Sequence, residues 1–424
     1  MRHVKDIFGG DLRQFGMLIA LIILIVFFHF MTGGKVIDPL NMMNIINGNA
    51  YILILAVGMV LVIIAGNIDL SVGSVAAFAG IVVAIAMRDY GVPWWGGILL
   101  CLLVGALVGA WQGFWVAYVG IPAFIVTLAG MLIFRGANQF VGNSTSVPVP
   151  AQIQYLGGGY LPEVGPNTGY NNLTLVLGLL VIVALVAGEL LQRRSRNRTQ
   201  APNPPLWVSA VKLVLLAAII WGATYLFATG RPGTSFPVPG LILVAMVLLY
   251  WFISSRTVFG RHVYAFGGNR QAAALSGVNT KFVNFLVMMN MSVLAALAGL
   301  IFIGRSTASG PADGNMWELD AIAAVFIGGA AVSGGVGTVI GALIGGLVMA
   351  VLNNGLQLLG VGADATQMIK GLVLLLAVAF DVWNKTQGKP SITGLLFRSK
   401  PTSEHSTASV PVAEEATEPS KANA

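Results

Sequence analysis

The chain has 424 residues, of which 56% are hydrophobic, only 9% are charged and 53 are glycine, and its mean hydropathy is +0.83. Soluble domains carry about 25% charged residues because their surface must be wetted, so this composition excludes a soluble globular protein. The single cysteine, Cys101, excludes a disulfide framework and a cysteine-built metal cluster. The composition therefore indicates a polytopic membrane protein.

Apolar segments of spanning length recur from residue 16 to residue 384. Because about 20 apolar residues are needed to cross about 30 Å of hydrocarbon, they predict an all-α membrane helix bundle with about 10 to 12 transmembrane segments. Two short segments, 238–253 and 319–334, are either spanning or re-entrant. Small residues in the fourth segment predict close contact with another helix: Gly105, Gly109, Ala110 and Gly113.

The positions of the basic residues predict the orientation of the chain. Lys and Arg number three in residues 1–15, four in 192–206, four in 254–281 and five from residue 385 onwards, whereas the loop 142–172 has none. With twelve crossings all four basic stretches lie on one side, so both termini are expected in the cytoplasm of an inner-membrane protein. This topology accounts for the net charge of +7 without a nucleic-acid partner.

The same pattern divides the chain into regions. A cytoplasmic N-terminus (1–15) and a disordered cytoplasmic tail (385–424) flank one transmembrane domain (16–384). This domain contains a long periplasmic loop (142–172) and a cytoplasmic loop (254–281).

No phosphate-binding loop for ATP is found in the sequence. The two Gly-Lys pairs, Gly34-Lys35 and Gly388-Lys389, are followed by Val36 and Pro390 instead of Ser or Thr. The chain is therefore expected not to hydrolyse ATP by itself.

The cytoplasmic loop encodes a short helix with both of its end signals. Asn269 suits the N-cap, residues 270–276 are mostly good helix formers, and Gly277 suits a left-handed residue after the last turn. Because a helix of two turns is marginal in isolation, we expect it to dock either on its own protein or on a partner.

Three blocks of this sequence resemble the permease subunits of bacterial ABC importers for monosaccharides. Gln271-Ala272-Ala273-x-x-x-Gly277 is similar to the Glu-Ala-Ala-x-x-x-Gly loop by which such permeases engage their ATPase, with Gln271 in place of the usual Glu. The other two are Gly66-Asn-Ile-Asp-Leu-Ser-Val-Gly-Ser74 and the glycine-rich stretch 326–338 that continues to Asn353-Asn-Gly355. The long segments between 173 and 253 look more like the xylose or multiple-monosaccharide branch than the ribose one.

The resemblance implies a non-enzymatic translocation subunit. Expected partners are a separate ATPase subunit, a sugar-binding protein outside the membrane and a second permease copy. The chain is expected to bind no cofactor, while ATP and Mg²⁺ belong to the ATPase. The residues expected to contact that ATPase are Asn269, Arg270, Gln271, Ala272, Ala273, Leu275, Ser276 and Gly277.

Asp69 is an acid beside an apolar run, where a carboxylate is costly and usually faces an interior or a cavity. Asn67, Asp69 and Ser71 follow Gly66, which is typical of a break between two helices. These polar side chains either cap the next helix or contact the translocation path.

Glu318 and Asp320 follow Trp317 at the predicted outer end of a segment. They are either part of the surface on which the binding protein docks or solvated acids at the membrane interface.

Two other kinds of transporter remain as alternatives. One is an ABC permease for hydrophobic amino acids, against which the sugar-type residues around 267–278 argue. The other is an ion-coupled secondary transporter, which usually keeps ionisable residues within its spans. Only Asp69, Arg135 and Lys370 are candidates for such residues. A membrane-embedded enzyme has no nucleophile and base pair in any segment to support it.

Overall fold

A computed structural model describes residues 12–200, 205–229 and 235–386. In these residues the chain forms fifteen α-helices and one pair of two-residue strands, which confirms the all-α fold class. The predicted tail lies outside the described residues from 387 onwards. The helices are α1 (Leu12–Met31), α2 (Pro39–Ile64), α3 (Val72–Asp89), α4 (Trp94–Phe114), α5 (Ala123–Val141), α6 (Ala151–Gly158), α7 (Asn172–Arg198), α8 (Leu206–Ala228), α9 (Val238–Arg256), α10 (Val258–Gly268), α11 (Arg270–Leu275), α12 (Thr280–Ser306), α13 (Trp317–Ile327), α14 (Val339–Leu358) and α15 (Ala363–Thr386).

Nine of the described helices are long and apolar enough to cross a membrane, namely α2, α3, α4, α5, α7, α8, α9, α12 and α14. A shorter apolar helix, Gly16–Met31, precedes them within α1. The segment 238–253 becomes the 19-residue α9, which is of spanning length. The segment 319–334 becomes the 11-residue α13, which covers only about 16 Å and so does not span.

The core of the bundle is built around α2 and α12. Helix α12 packs on α2, α3, α4 and α6, while α13 and α14 pack on each other and on α2. The predicted close contact of α4 is confirmed: an added Cβ on Gly105 would lie 2.7 Å from the carbonyl oxygen of Ser292, and one on Gly109 would lie 2.6 Å from Cα of Met289. Glycine therefore lets α4 and α12 approach to backbone contact.

Helices α7 and α8 pack mainly against each other and lie at the edge of the bundle. The end of α7 and the start of α8 are joined by Glu189, which accepts a hydrogen bond from Ser209 Oγ (2.6 Å) and pairs with Arg193. Apolar side chains such as Leu180 and Val214 are exposed on this hairpin. An apolar exposed face of this kind suits contact with lipid.

Two of the connections between helices break the bundle in its interior. Residues 65–71 link α2 to α3, and residues 328–338 link α13 to α14. Gly66, Gly334 and Gly335 have positive φ angles of 77°, 79° and 72° in these breaks. Glycine is the residue that adopts this conformation without a steric cost, so the chain reverses or bends here.

The region 142–172, predicted as a long loop, contains structure that the sequence did not indicate. Strand β1 (Val147–Pro148) pairs antiparallel with strand β2 (Ala308–Ser309), and α6 follows directly after β1. An added Cβ on Gly157 of α6 would overlap the backbone of α12. The region is thus held on the C-terminal end of α12.

Candidate functional site

The short helix predicted in the cytoplasmic loop is present as α11. The side chain of Asn269 accepts a hydrogen bond of 3.0 Å from the N–H of Ala272, which makes it the N-cap. Gly277 has φ +84°, and the N–H of Val278 donates to the carbonyl oxygen of Ala273 (3.1 Å). The helix therefore begins and ends through the local interactions that its sequence specifies.

Most of helix α11 is exposed. Ala273 is the one member of the predicted contact set that is buried, and Leu275 is 91% exposed. A leucine this exposed at the end of a short helix is the kind of side chain that a partner covers. The exposed members of the set are Asn269, Arg270, Gln271, Ala272, Leu275, Ser276 and Gly277.

Sequence reasoning missed α10, the helix that connects α9 to α11. Its Tyr264 hydroxyl donates a hydrogen bond of 2.7 Å to the carbonyl oxygen of Gly337, in the break between α13 and α14. Burial raises the pKa of the Tyr264 phenol, so the hydroxyl keeps its proton at neutral pH and remains a donor. Helix α10 thereby joins the exposed α11 to the interior of the bundle.

The break between α2 and α3 holds the polar residues predicted for it. Asp69 is fully buried, and its Oδ1 accepts hydrogen bonds from the N–H (2.8 Å) and the hydroxyl (2.6 Å) of Ser71. Asn67 Nδ2 donates to Oδ1 of Asn284 in α12 over 2.6 Å. Asp69 therefore fixes Ser71, the residue before α3, whereas the side chain of Ser71 itself makes no capping hydrogen bond to the helix.

The second oxygen of Asp69 has no hydrogen-bond partner, although it is buried. Three other buried atoms near the start of α3 share this property: Ser74 Oγ, Gln112 Oε1 and Glu318 Oε2. Gln112 reaches the same place because its Nε2 donates to Ser71 Oγ over 2.8 Å. Buried polar groups are almost always hydrogen-bonded, so four unpaired atoms close to the start of α3 are unusual and make this region a candidate site.

Gln112 was missed by sequence reasoning, although a signal for it exists. It is the one amide side chain in the otherwise apolar helix α4. Space for it is left by Gly130 on α5, because an added Cβ there would lie 2.6 Å from Gln112 Nε2. A polar side chain on a buried helix face is the feature that should have drawn attention.

The prediction that Glu318 lies on the outer surface is wrong. Glu318 is only 6% exposed, and an added Cβ on Gly73 would lie 2.7 Å from its Oε2. The cause is Trp317, whose ring packs against the rings of Tyr51 and Phe302 with centroid distances of 4.5 Å to each. Burying this aromatic ring carries the next residue into the interior as well.

Asp320 is also less available than the sequence suggested. Its two carboxylate oxygens accept hydrogen bonds from Lys370 Nζ at 2.9 and 3.0 Å, and both side chains are about one-fifth exposed (19% and 22%). This ion pair joins the half-length helix α13 to α15, and it gives Lys370, one of the three candidate ionisable residues within the spans, a structural partner.

Comparison with known proteins places the chain among transport permeases. A family described as the permease component of the branched-chain amino acid transport system matches residues 41–157 and 161–378. The chain belongs to this permease family. The match covers both helix breaks, the α10–α11 connection and the Asp320–Lys370 pair.

Several curated relatives of this permease carry sugar names. It is 41% identical over 376 residues to the xylose transport system permease protein of Haemophilus influenzae, which covers 88% of the chain and 97% of that relative. It is 40% identical to the Escherichia coli xylose permease (88% and 92% covered). The ribose import permease of Bacillus subtilis is 30% identical (88% and 94% covered). No solved structure matches the chain.

The family and the nine apolar helices together make the protein a multi-pass permease of the inner membrane. Permeases of this kind work with an ATPase subunit and a binding protein, so the exposed α11 belongs to a chain whose family supplies a partner for it. Two of its interior charged residues, Asp69 and Lys370, form hydrogen bonds with other side chains of the protein.

Proposed function

We propose that this permease is the membrane-spanning subunit of a binding-protein-dependent ABC importer for a monosaccharide, with xylose as the first candidate. The observation that carries the proposal is α11, an exposed, doubly capped cytoplasmic helix on a membrane bundle whose sequence has no phosphate-binding loop. Such a helix needs a partner, and energy for uptake needs an ATPase. One docking event meets both requirements.

The sugar assignment is supported by the relatives. The xylose permeases are 40–41% identical and are covered over at least 92% of their own length, whereas the ribose permeases are 30–33% identical. The family description instead mentions branched-chain amino acids. The several hydroxyl groups of a sugar can donate to the unpaired oxygens at the start of α3, whereas a hydrophobic amino acid offers only its ammonium group as a donor.

We further propose that the two helix breaks border the translocation path. Asn67, Asp69 and Ser71 would face it from one break, and residues 328–338 would face it from the other. Interrupted helices commonly form the central sites of transporters, because they bring polar backbone and side-chain groups into the membrane. The unpaired oxygens of Asp69 and Glu318 support this placement.

The assembly follows the family arrangement. Two copies of the chain would enclose the path, both termini would lie in the cytoplasm with α11, and the binding protein would deliver sugar to the outer face. The ATPase subunit would bind ATP and Mg²⁺, and the permease would contribute no covalent chemistry. Because Glu318 is buried, it has no part in docking the binding protein.

The proposal is tested by sugar-stimulated ATP hydrolysis in proteoliposomes that contain the permease, its ATPase and its binding protein. Xylose, ribose, arabinose, galactose, glucose and leucine are supplied in turn, and each protein is omitted in a control. Stimulation by xylose or another sugar that requires all three components supports the proposal. Stimulation by leucine alone assigns the amino-acid alternative, and uptake by the permease alone in a proton or sodium gradient contradicts the ABC mechanism.

A further inference from the structure

The last turn of α10 is wedged between the two helix breaks. An added Cβ on Gly267 would overlap the carbonyl oxygen of Ile64, the last residue of α2, and would lie 2.9 Å from the backbone nitrogen of Gly335. Gly334 is equally close, since an added Cβ on it would lie 3.0 Å from the carbonyl oxygen of Gly267 and 3.1 Å from Cα of Gly66. We call these five residues the glycine junction.

Two hydrogen bonds join the segments that meet at the glycine junction. The N–H of Gly335 donates to the carbonyl oxygen of Ile64 over 2.8 Å, and the Tyr264 hydroxyl donates to the carbonyl oxygen of Gly337 over 2.7 Å. The first bond joins one break to the other, and the second joins the α13–α14 break to α10. All three segments therefore meet through backbone atoms, apart from the single tyrosine side chain.

The junction is directly connected to the exposed helix. Gly267 lies two residues before Asn269, which ends α10 and caps α11. The guanidinium of Arg270 lies over the ring of Phe266, 5.3 Å from its centroid, and this contact further ties the two helices together. A displacement of α11 thus moves the last turn of α10, with little side-chain freedom between them to absorb it.

We propose that Gly267 and Tyr264 are positioning residues that transmit the movement of α11 to both helix breaks at once. This inference rests on the proposed function, in which an ATPase moves α11 and the breaks border the sugar path. Contacts between backbones transmit displacement because closely packed interiors deform little. The positive-φ glycines on either side, Gly66, Gly334 and Gly335, supply the points at which the breaks can bend.

Neighbouring glycines provide a matched pair of variants. Gly267→Ala places a methyl group against Ile64 and Gly335, whereas Gly268→Ala adds the same group where nothing lies within 4 Å. Both are measured in the assembled importer in proteoliposomes as the ratio of sugar taken up to ATP hydrolysed. We expect Gly267→Ala to lower this ratio about fivefold or more while ATP hydrolysis continues. Gly268→Ala should keep the wild-type ratio.

Tyr264→Phe removes one hydroxyl and leaves the ring, so it tests the junction without adding bulk. We expect a lower ratio of uptake to hydrolysis, with normal recovery of the complex. A residue that only stabilises the fold would lower recovery and leave the ratio of the surviving complexes unchanged.

A wild-type ratio in assembled Gly267→Ala overturns the proposal. If Gly267→Ala does not assemble, a wild-type ratio of uptake to hydrolysis in Tyr264→Phe overturns the proposal instead. Whatever Gly267→Ala does, a wild-type ratio in Tyr264→Phe shows that Tyr264 does not transmit the movement. Failure of the proposed function is distinguishable, because the wild-type complex would then show no sugar-stimulated hydrolysis at all.

Discussion

Gly335 donates its backbone N–H to the carbonyl oxygen of Ile64, and this 2.8 Å bond joins the end of α2 to the loop between α13 and α14. The last carbonyl groups of a helix have no partner within the helix, so they are free to accept from another segment. Here the acceptor at one helix break is satisfied by the donor at the other. The two interruptions of the bundle therefore form one structural unit, although Ile64 and Gly335 are 271 positions apart in the sequence.

Because Leu275 is exposed, we expect its side chain to be needed for binding of the ATPase to the permease. Leu275→Asp should reduce the amount of ATPase that co-purifies with the permease by about tenfold or more, since burying a leucine contributes about 1.5–3 kcal/mol and a buried charge opposes docking. The thermal stability of the permease alone should not change, because the side chain is 91% exposed. Co-purification on an affinity tag measures the first effect, and thermal unfolding in detergent measures the second.

A suitable control for this variant is Tyr90→Asp. Tyr90 is 81% exposed at the end of α3 that is predicted to face the outside. Tyr90→Asp introduces the same charge at an exposed aromatic position that is predicted to lie on the opposite side of the membrane from α11. Equal loss of ATPase in both variants would mean that α11 has no special role.

The N-cap of α11 gives a second prediction. Asn269→Ala removes the acceptor for the Ala272 N–H, which costs about 1 kcal/mol of helix stability and should weaken ATPase association about fivefold. Asn269→Asp keeps the acceptor and adds a charge that suits a helix N-terminus, so it should restore association. Titration of the ATPase against permease in nanodiscs gives both affinities. Equal affinities for Asn269→Ala and the wild type would show that α11 is ordered by its partner alone.

Local signals allowed parts of this structure to be predicted. The caps of α11 act within nine residues, from Asn269 to Gly277, so the helix and both of its ends were found. The break after Gly66 was found because a glycine followed by three polar side chains ends an apolar helix. The close approach of α4 to another helix was found from the helical spacing of its glycines, but the spacing did not indicate that the partner is α12.

Features that depend on tertiary contacts could not be predicted in this way. Strands β1 and β2 are two residues each, and their pairing joins positions near 148 and 308, so neither has a pattern of its own. Glu318 is buried because of the ring contacts of Trp317 with Tyr51 and Phe302, which come from two other helices. The role of Gly267 was also hidden, since its φ angle is ordinary and only the neighbouring backbones show why no side chain fits.

The Asp320–Lys370 pair is expected to hold α13 against α15. Lys370→Met leaves a carboxylate without its partner in a mostly buried position, so it should lower the melting temperature of the permease. Asp320→Asn combined with Lys370→Met removes both charges and should regain part of this loss. Thermal unfolding of the wild type, Asp320→Asn, Lys370→Met and the double variant gives the coupling energy between the two side chains. We expect it to be about 0.5–3 kcal/mol. A coupling energy near zero would mean that the pair does not hold the two helices together.

Asp69 provides the sharpest test of the translocation path. Asp69→Asn keeps an oxygen that accepts from the Ser71 N–H and hydroxyl, so the start of α3 should remain intact. It replaces the second oxygen, which has no partner in the protein, with an amide that cannot accept a hydrogen bond from a sugar. We expect sugar uptake in proteoliposomes to fall about tenfold, which corresponds to about 1.4 kcal/mol. Assembly and ATP hydrolysis should be retained.

Asp69→Ala is the matched comparison, because it removes both oxygens. It should lower the melting temperature as well as uptake, since Ser71 loses the acceptor for two hydrogen bonds. If Asp69→Asn transports at the wild-type rate while Asp69→Ala is unstable, Asp69 acts only as the cap of α3. If Asp69→Asn itself prevents assembly, the carboxylate is needed for folding, and the border of the path must then be sought in residues 328–338.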